Sequence, residues 1–201
     1  MTGAAIQRLY LIAVMAVLAG ISWMSFTQPV QSARPDVQEQ LYAQVPTVLD
    51  PDGKPPVAAP AKGPGSALAY MQVPRFGKNW LWTVVEGTAE EDLAEGPGHY
   101  SGTALPGAIG NFAVAAHRAG HGDPFIDFDL LQIGDRITFR QSGAWWTYEI
   151  YRAPEIFEPT TSWMLRQPVH HRRLTLTTCW PKYGNEKRMF VRAELVDWSG
   201  K

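Results

Sequence analysis

Among the 201 residues stands a single cysteine, Cys179, which forbids an intrachain disulfide and any Cys-only metal site. A free thiol is commonly a small buried hydrophobe. Cys179, however, follows the alternating run from Arg173 to Thr178 and precedes Trp180-Pro181. Proline has no ladder N–H, so the strand should stop there and leave Cys179 at a sheet edge or rim. A nucleophilic thiol also needs an acid/base partner and a group that stabilises developing negative charge. His117 suits the first role because it closes a second apolar run, NFAVAA at 111–116, and opens the loop Arg118-Ala119-Gly120. Arg188 suits the second. It begins a third run nine residues after Cys179, a distance at which an antiparallel return sets its guanidinium beside the thiol. The bland readings are a loop histidine and a solvated charge at a strand start.

The same residues also pose a metal question. His117, His121 and Cys179 are ligand types, and a His-x3-His pair presents both rings to one ion when it lies on a helix. Gly120, Gly122 and Pro124 exclude a helix there, so neither a metal site nor a cofactor is expected. His170-His171, between Pro168 and Arg172, reads as a polar turn.

These groups need a scaffold, and the composition favours a β-rich one. With 16 Pro, 18 Gly and only 18% charged residues, a bundle of long helices is excluded. Seven runs of β-formers bounded by turn residues occur at 69–73, 80–85, 111–116, 136–140, 145–151, 173–178 and 189–196. Arg136-Ile137-Thr138-Phe139 and Leu174-Thr175-Leu176-Thr177 alternate cleanly, as strands of a closed β-barrel do. Short helices are expected at 88–94, with Thr88 as N-cap and Glu91 as its reciprocal partner, and at 127–131. The charge balance, 18 Lys+Arg against 19 Asp+Glu for a net −1, lacks the field that grips a phosphate backbone, so nucleic acid is not an expected partner.

Ahead of this domain lie two segments of different character. From Leu9 to Phe26 the chain has 18 residues without a charge, near the lower end of the roughly 17–25 that span a membrane. A cleaved signal peptide would have a shorter core and a better small-residue site than Val30-Gln31-Ser32-Ala33. An uncleaved anchor is therefore expected, with Arg8 and the N-terminus cytoplasmic and the rest outside. From Thr27 to Ser66 come eight Pro, three Gly, one aromatic residue and balanced charges, the composition of an extended linker. The expected organisation is 1–26 tail and anchor, 27–66 linker and 67–201 catalytic domain.

Three motifs, in order along the chain, resemble the sortase family. Thr175-Leu176-Thr177-Thr178-Cys179 followed by Arg188 is similar to its TLxTC…R signature, and the stretch from Asn111 to Arg118 is similar to its histidine strand. Gly96-Pro97-Gly98-His99-Tyr100-Ser101-Gly102-Thr103-Ala104 resembles class E, the housekeeping type of high-GC Gram-positive bacteria. Ala116 departs from the glycine that many members carry before the histidine. The resemblance covers about 67–196 and implies an eight-stranded barrel, one strand more than the runs count.

It also implies a membrane-bound cysteine transpeptidase. Such an enzyme cleaves a C-terminal LAxTG or LPxTG sorting signal of secreted proteins between Thr and Gly. It then passes the thioester-held chain to a peptidoglycan-precursor amine. Cys179, His117 and Arg188 would be catalytic. Tyr100 would hold the signal, its hydroxyl meeting an N–H that Ala has and Pro lacks. Thr178 lies in the signature, and Trp180 and His121 would shape the nucleophile's site. A pilin-polymerising sortase ranks second, because Asp50-Pro51 is followed by Asp52 rather than an aromatic residue. A third reading is a non-enzymatic wall-binding module using the seven tryptophans of the domain as sugar platforms.

Overall fold

The computed structural model describes residues 55–168 and 170–199. The expected anchor at 9–26 and most of the expected linker lie outside the described residues. Among the described residues no helix is long and apolar enough to cross a membrane.

Period-two patterning turns one set of side chains inward along each strand. The elements are β1 (Ala67–Gln72), β2 (Leu81–Glu86), helix α1 (Glu90–Glu95), β3 (Gly98–His99), β4 (Gly110–Ala115), β5 (Arg136–Gln141), β6 (Ala144–Phe157), β7 (Arg172–Trp180) and β8 (Lys187–Ser199). The strands close into a barrel in the order β1-β2-β3-β4-β7-β8-β6-β5. Most neighbours are antiparallel, but β4 and β7 run parallel, from Gly110↔Arg172 to Ala115↔Thr177. Phe112, Val114, Leu174, Leu176, Val191 and Ala193 point into the core, where Phe112 meets Phe139 edge-on at 4.8 Å.

Each of the seven expected runs falls on a strand, and the eighth strand carries no periodicity to read. β3 has only two residues, paired parallel to β2 and antiparallel to β4. Glycine is required there by close approach, since a Cβ on Gly98 would lie 2.1 Å from the Gly87 carbonyl oxygen.

The helices differ from expectation. α1 starts at Glu90 with Ala89 as N-cap, and the Ala89 N–H donates to Asp92 Oδ2 at 3.1 Å. Asp92 is buried, so the reciprocal carboxylate is the one that faces the core rather than Glu91. The expected helix at 127–131 is a single 3-10 turn, Phe128–Leu130.

Two further expectations meet the packing. The end of the expected linker is docked on the barrel: Trp146 Nε1 donates to Pro56 O at 2.5 Å, and the Gln141 amide bonds both the N–H and the C=O of Ala59. Trp146 and Gln141 are buried polar groups that must find partners, and this segment supplies them. The tryptophans do not favour a sugar platform. Trp82 and Trp146 are buried, Trp80 stacks on Phe125, and Trp163 packs edge-on against Phe157 and Phe190.

The tight β2–β3 contact generates a prediction. Gly98→Ala forces a methyl against backbone that cannot swing away, and overpacking of this kind costs about 1–3 kcal/mol. Thermal unfolding should show a clear drop in Tm, and an unchanged Tm would mean that β2 and β3 are not held this closely.

Candidate active site

The site is built by strand register. β4 and β7 reach Ala115↔Thr177 in the parallel ladder, and the Ala116 N–H then donates to Thr177 O at 3.1 Å. Two more steps bring His117 abreast of Cys179. On the other side of β7 the antiparallel ladder pairs Cys179 directly with Arg188. Adjacent strands lie about 4.8 Å apart, so one row across β4, β7 and β8 reads His117, Cys179, Arg188. The inward set contains Ala116, Leu176 and Met189. Parity therefore turns this row to the barrel's outer face.

That face floors a cleft of about 890 Å³ lined by His117, Cys179, Arg188 and Tyr100. Thr88, Glu90 and Leu93 border it on the α1 side, and the β7–β8 loop from Lys182 to Asn185 on the other. β7 runs on through Cys179 to Trp180, so the thiol belongs to a paired strand of a closed barrel rather than to a free edge. Cys179 is unpaired and half-buried. Arg188 is oriented by backbone, its Nη1 donating to Asn185 O at 2.9 Å and Lys187 O at 3.0 Å.

Burial pushes the His117 pKa below the ordinary histidine value, the neighbouring His121 pushes it further down, and Glu90 partly opposes both. At neutral pH the imidazole is therefore mostly uncharged and able to accept a proton. The uncharged ring also ties folding stability to pH. A depressed folded pKa means this contribution is present above the unfolded value of about 6.5 and is lost as pH falls through the lower folded value.

The other expected residues separate. Tyr100 is in the cleft wall, its hydroxyl 3.0 Å from Thr177 Oγ1. Thr178 borders the cleft, but its hydroxyl donates to Ala116 O at 2.8 Å and serves the β4–β7 junction instead of offering a donor to a ligand. Trp180 is not among the residues lining the cleft; it packs against the core under the Arg118 guanidinium, 4.9 Å from its ring centroid. His121 also lies off the lining, exposed and stacked on His117 with centroids 4.7 Å apart. Parity explains where Trp180 lies, since a residue next to an outward-facing one in a strand points the other way.

Sequence reasoning missed two groups. Arg118 was read as the start of a loop, yet its side chain is 1% exposed and Nη2 is bonded to Asp129 Oδ1. The second is the network behind Tyr100. His99 Nδ1 lies 2.7 Å from Glu86 Oε2, His99 Nε2 lies 2.9 Å from Thr103 Oγ1, and Ser101 Oγ donates to Glu86 Oε1. Polar residues at 99, 101 and 103 were a visible two-residue period, but their partner on β2 is distant in sequence. Among the described residues no group of three or more His, Cys, Asp or Glu is arranged to hold a metal ion.

A family model for the sortase domain matches residues 71–196. The chain is 32% identical over 152 residues to sortase SrtE2 of Streptomyces coelicolor, covering 67% of this chain and 60% of that protein. It thus spans about three-fifths of that curated relative. Sortase E from Streptomyces avermitilis superposes with a TM-score of 0.64 at 39% identity, over 69% of this chain and 93% of that one. Sortase E1 from Streptomyces coelicolor, solved with a tripeptide in the active site, gives a TM-score of 0.61 at 26% identity over 70% of this chain and 94% of that one.

The stacked histidines can be tested directly. His121→Ala removes a like charge beside His117, so the His117 pKa should rise while staying below the ordinary value, because the burial remains. Titration of the His117 ring by NMR checks this, and an unmoved or lowered midpoint would show that His121 does not influence it.

Proposed function

The chain belongs to the sortase family, and from that premise we propose that it is a cysteine transpeptidase acting on a C-terminal LAxTG-type sorting signal. The observation that carries the reading is the single row of His117, Cys179 and Arg188 on one cleft floor. The tripeptide in the active site of the Streptomyces coelicolor E1 neighbour supports a peptide as the ligand of this cleft.

The chemistry follows from the groups present. Neutral His117 takes the Cys179 thiol proton as the sulfur attacks the Thr carbonyl carbon of the signal, and the C=O pair moves onto oxygen. Arg188 faces that charge with a guanidinium already oriented by two carbonyls, or holds the substrate backbone. Collapse breaks the Thr–Gly bond, and protonated His117 gives its proton to the departing Gly nitrogen. Thr remains on Cys179 as a thioester. An incoming amine of a cell-wall precursor then attacks, His117 takes its proton and returns it to the departing Cys179 sulfur, and the thiol is regenerated.

Tyr100 is the group for choosing the signal. Its hydroxyl can donate to Thr177 Oγ1 and still accept the N–H of Ala, which Pro does not have. The segment from Leu9 to Phe26 would anchor the enzyme in the cell membrane, with its domain on the outer face where secreted substrates and peptidoglycan precursors meet.

Three measurements test these proposals. Cys179→Ala should abolish cleavage of an LAxTG peptide and the thioester adduct seen by mass spectrometry. His117→Ala should do nearly the same, and Arg188→Lys should fail badly because lysine lacks the planar fork. Wild-type turnover in Arg188→Lys would remove Arg188 from the mechanism. Tyr100→Phe loses one hydrogen bond worth on the order of 0.5–1.5 kcal/mol, so kcat/KM for LAxTG should fall roughly two- to tenfold while LPxTG hardly changes. Equal losses for both peptides would make Tyr100 a packing residue. Protease added to protoplasts should release the domain by cutting within 27–66, and a protected domain would refute the outward orientation.

A further inference from the structure

The β4–β7 backbone pairing ends one residue short of the chemistry. Its last bonds are made by Ala116, to Thr177 O and from Thr178 Oγ1, so the ladder itself does not hold His117 against Cys179. The residue after each reacting group takes over. Arg118 follows His117, Trp180 follows Cys179, and the Arg118 guanidinium lies 4.9 Å from the Trp180 ring centroid.

The cost of this arrangement argues that it has a purpose. Arg118 is 1% exposed, and its Nη2 is bonded to Asp129 in the Phe128–Leu130 turn. Nε and Nη1 have no hydrogen-bond partner among the described residues. Burying a guanidinium against one carboxylate and one ring face recovers little of the desolvation, and an apolar side chain of similar size usually serves packing as well or better. What the charge adds is direction. A cation over an aromatic face is attracted more strongly when both are removed from water, and a planar guanidinium tied to a carboxylate holds one orientation. Trp180 in turn packs against the core, so the brace is tied to the barrel through its ring and to the 3-10 turn through Asp129.

We propose that Arg118 is a positioning residue: anchored by Asp129, its contact with Trp180 braces the end of β4 against the end of β7 and fixes the separation of His117 from Cys179. What that separation serves rests on the transpeptidase reading. The brace itself is testable by thiol chemistry alone.

The test uses the full-length protein carrying Arg118→Met, Arg118→Lys, Trp180→Leu, Trp180→Phe, and the double variant Arg118→Met with Trp180→Leu. Three quantities are read: kcat and KM for an LAxTG peptide with an amine acceptor, the pH profile of Cys179 alkylation by iodoacetamide, and Tm. Displacing a reacting group by about 1 Å can cost on the order of a hundredfold. Arg118→Met and Trp180→Leu should therefore each lower kcat by about 10- to 100-fold with KM little changed. Trp180→Phe keeps a ring face and should stay near wild type, and Arg118→Lys, which keeps the cation, should fall between. The double variant should be no slower than the worse single, because both changes remove one contact. In both damaging singles the inflection that His117 gives to the alkylation profile should weaken.

Losses that multiply in the double variant, a kcat that simply follows Tm, or an unaltered alkylation profile would each overturn the brace. If Arg118→Met fails to fold, the contrast between Trp180→Phe and Trp180→Leu and the profile of Asp129→Asn decide the matter by the same criteria. A wild-type protein that shows the His117 inflection yet leaves the peptide uncut would refute the transpeptidase reading and leave the brace standing.

Discussion

The parallel register of β4 on β7 is the constraint on which the site depends. Parallel neighbours cannot be joined by a tight turn and need a long crossover, here the chain between Ala115 and Arg172. That detour builds β5 and β6, and it returns β7 with its C-terminal end beside the C-terminal end of β4. His117 and Cys179 therefore lie at the same end of the two strands and on the same face. A shift of one residue would turn Cys179 inward and bring Thr178 outward. Leu174 and Leu176 resist that shift, because both would be moved out of the core.

Around the row, the surroundings set the chemistry of each member. His117 is half-buried and stacked on a second histidine, which disfavours its charged form. Arg188 sits on the opposite flank, held by carbonyls of the β7–β8 loop. The cleft thus has a mostly neutral base on one side of the thiol and a fixed cation on the other. Placing the two roles on the two flanks of β7 avoids setting the guanidinium against the imidazole, where each would disfavour the other's charge.

The walls are held by buried polar networks rather than by regular structure. Tyr100 stands on a loop pinned by His99, Glu86, Ser101 and Thr103, and by its own N–H donating to Ala113 O at 2.9 Å. Such networks are favourable only when their members are satisfied, and this one links β2, β3 and β4 behind the wall. At the far side of the barrel, residues 55–66 fill the hydrogen-bonding needs of Gln141 and Trp146. Composition marked that stretch as linker because it is poor in apolar side chains. Its hydrogen bonds to the barrel use the Ala59 N–H and the Pro56 and Ala59 carbonyls, backbone groups that composition does not mark.

Seven of the eight strands are legible in the sequence because their patterning is local, and Cys179, His117 and Arg188 stand out because reactive side chains at strand ends are visible in one dimension. The sequence did not reveal β3, which is two residues long, or the true cap of α1, where burial selected Asp92 over Glu91. Only tertiary structure decided which neighbours of the thiol face the cleft. Thr178 and Trp180 adjoin Cys179 in sequence, yet the pleat sends the Thr178 hydroxyl to Ala116 and packs Trp180 on the core, while Tyr100, 79 positions earlier, enters the wall. The same holds for Arg118, an ordinary loop cation in the sequence, which becomes a buried contact of Trp180 once the barrel closes. Local patterning dictates which face a strand buries, but which distant residues meet on that face depends on register and closure.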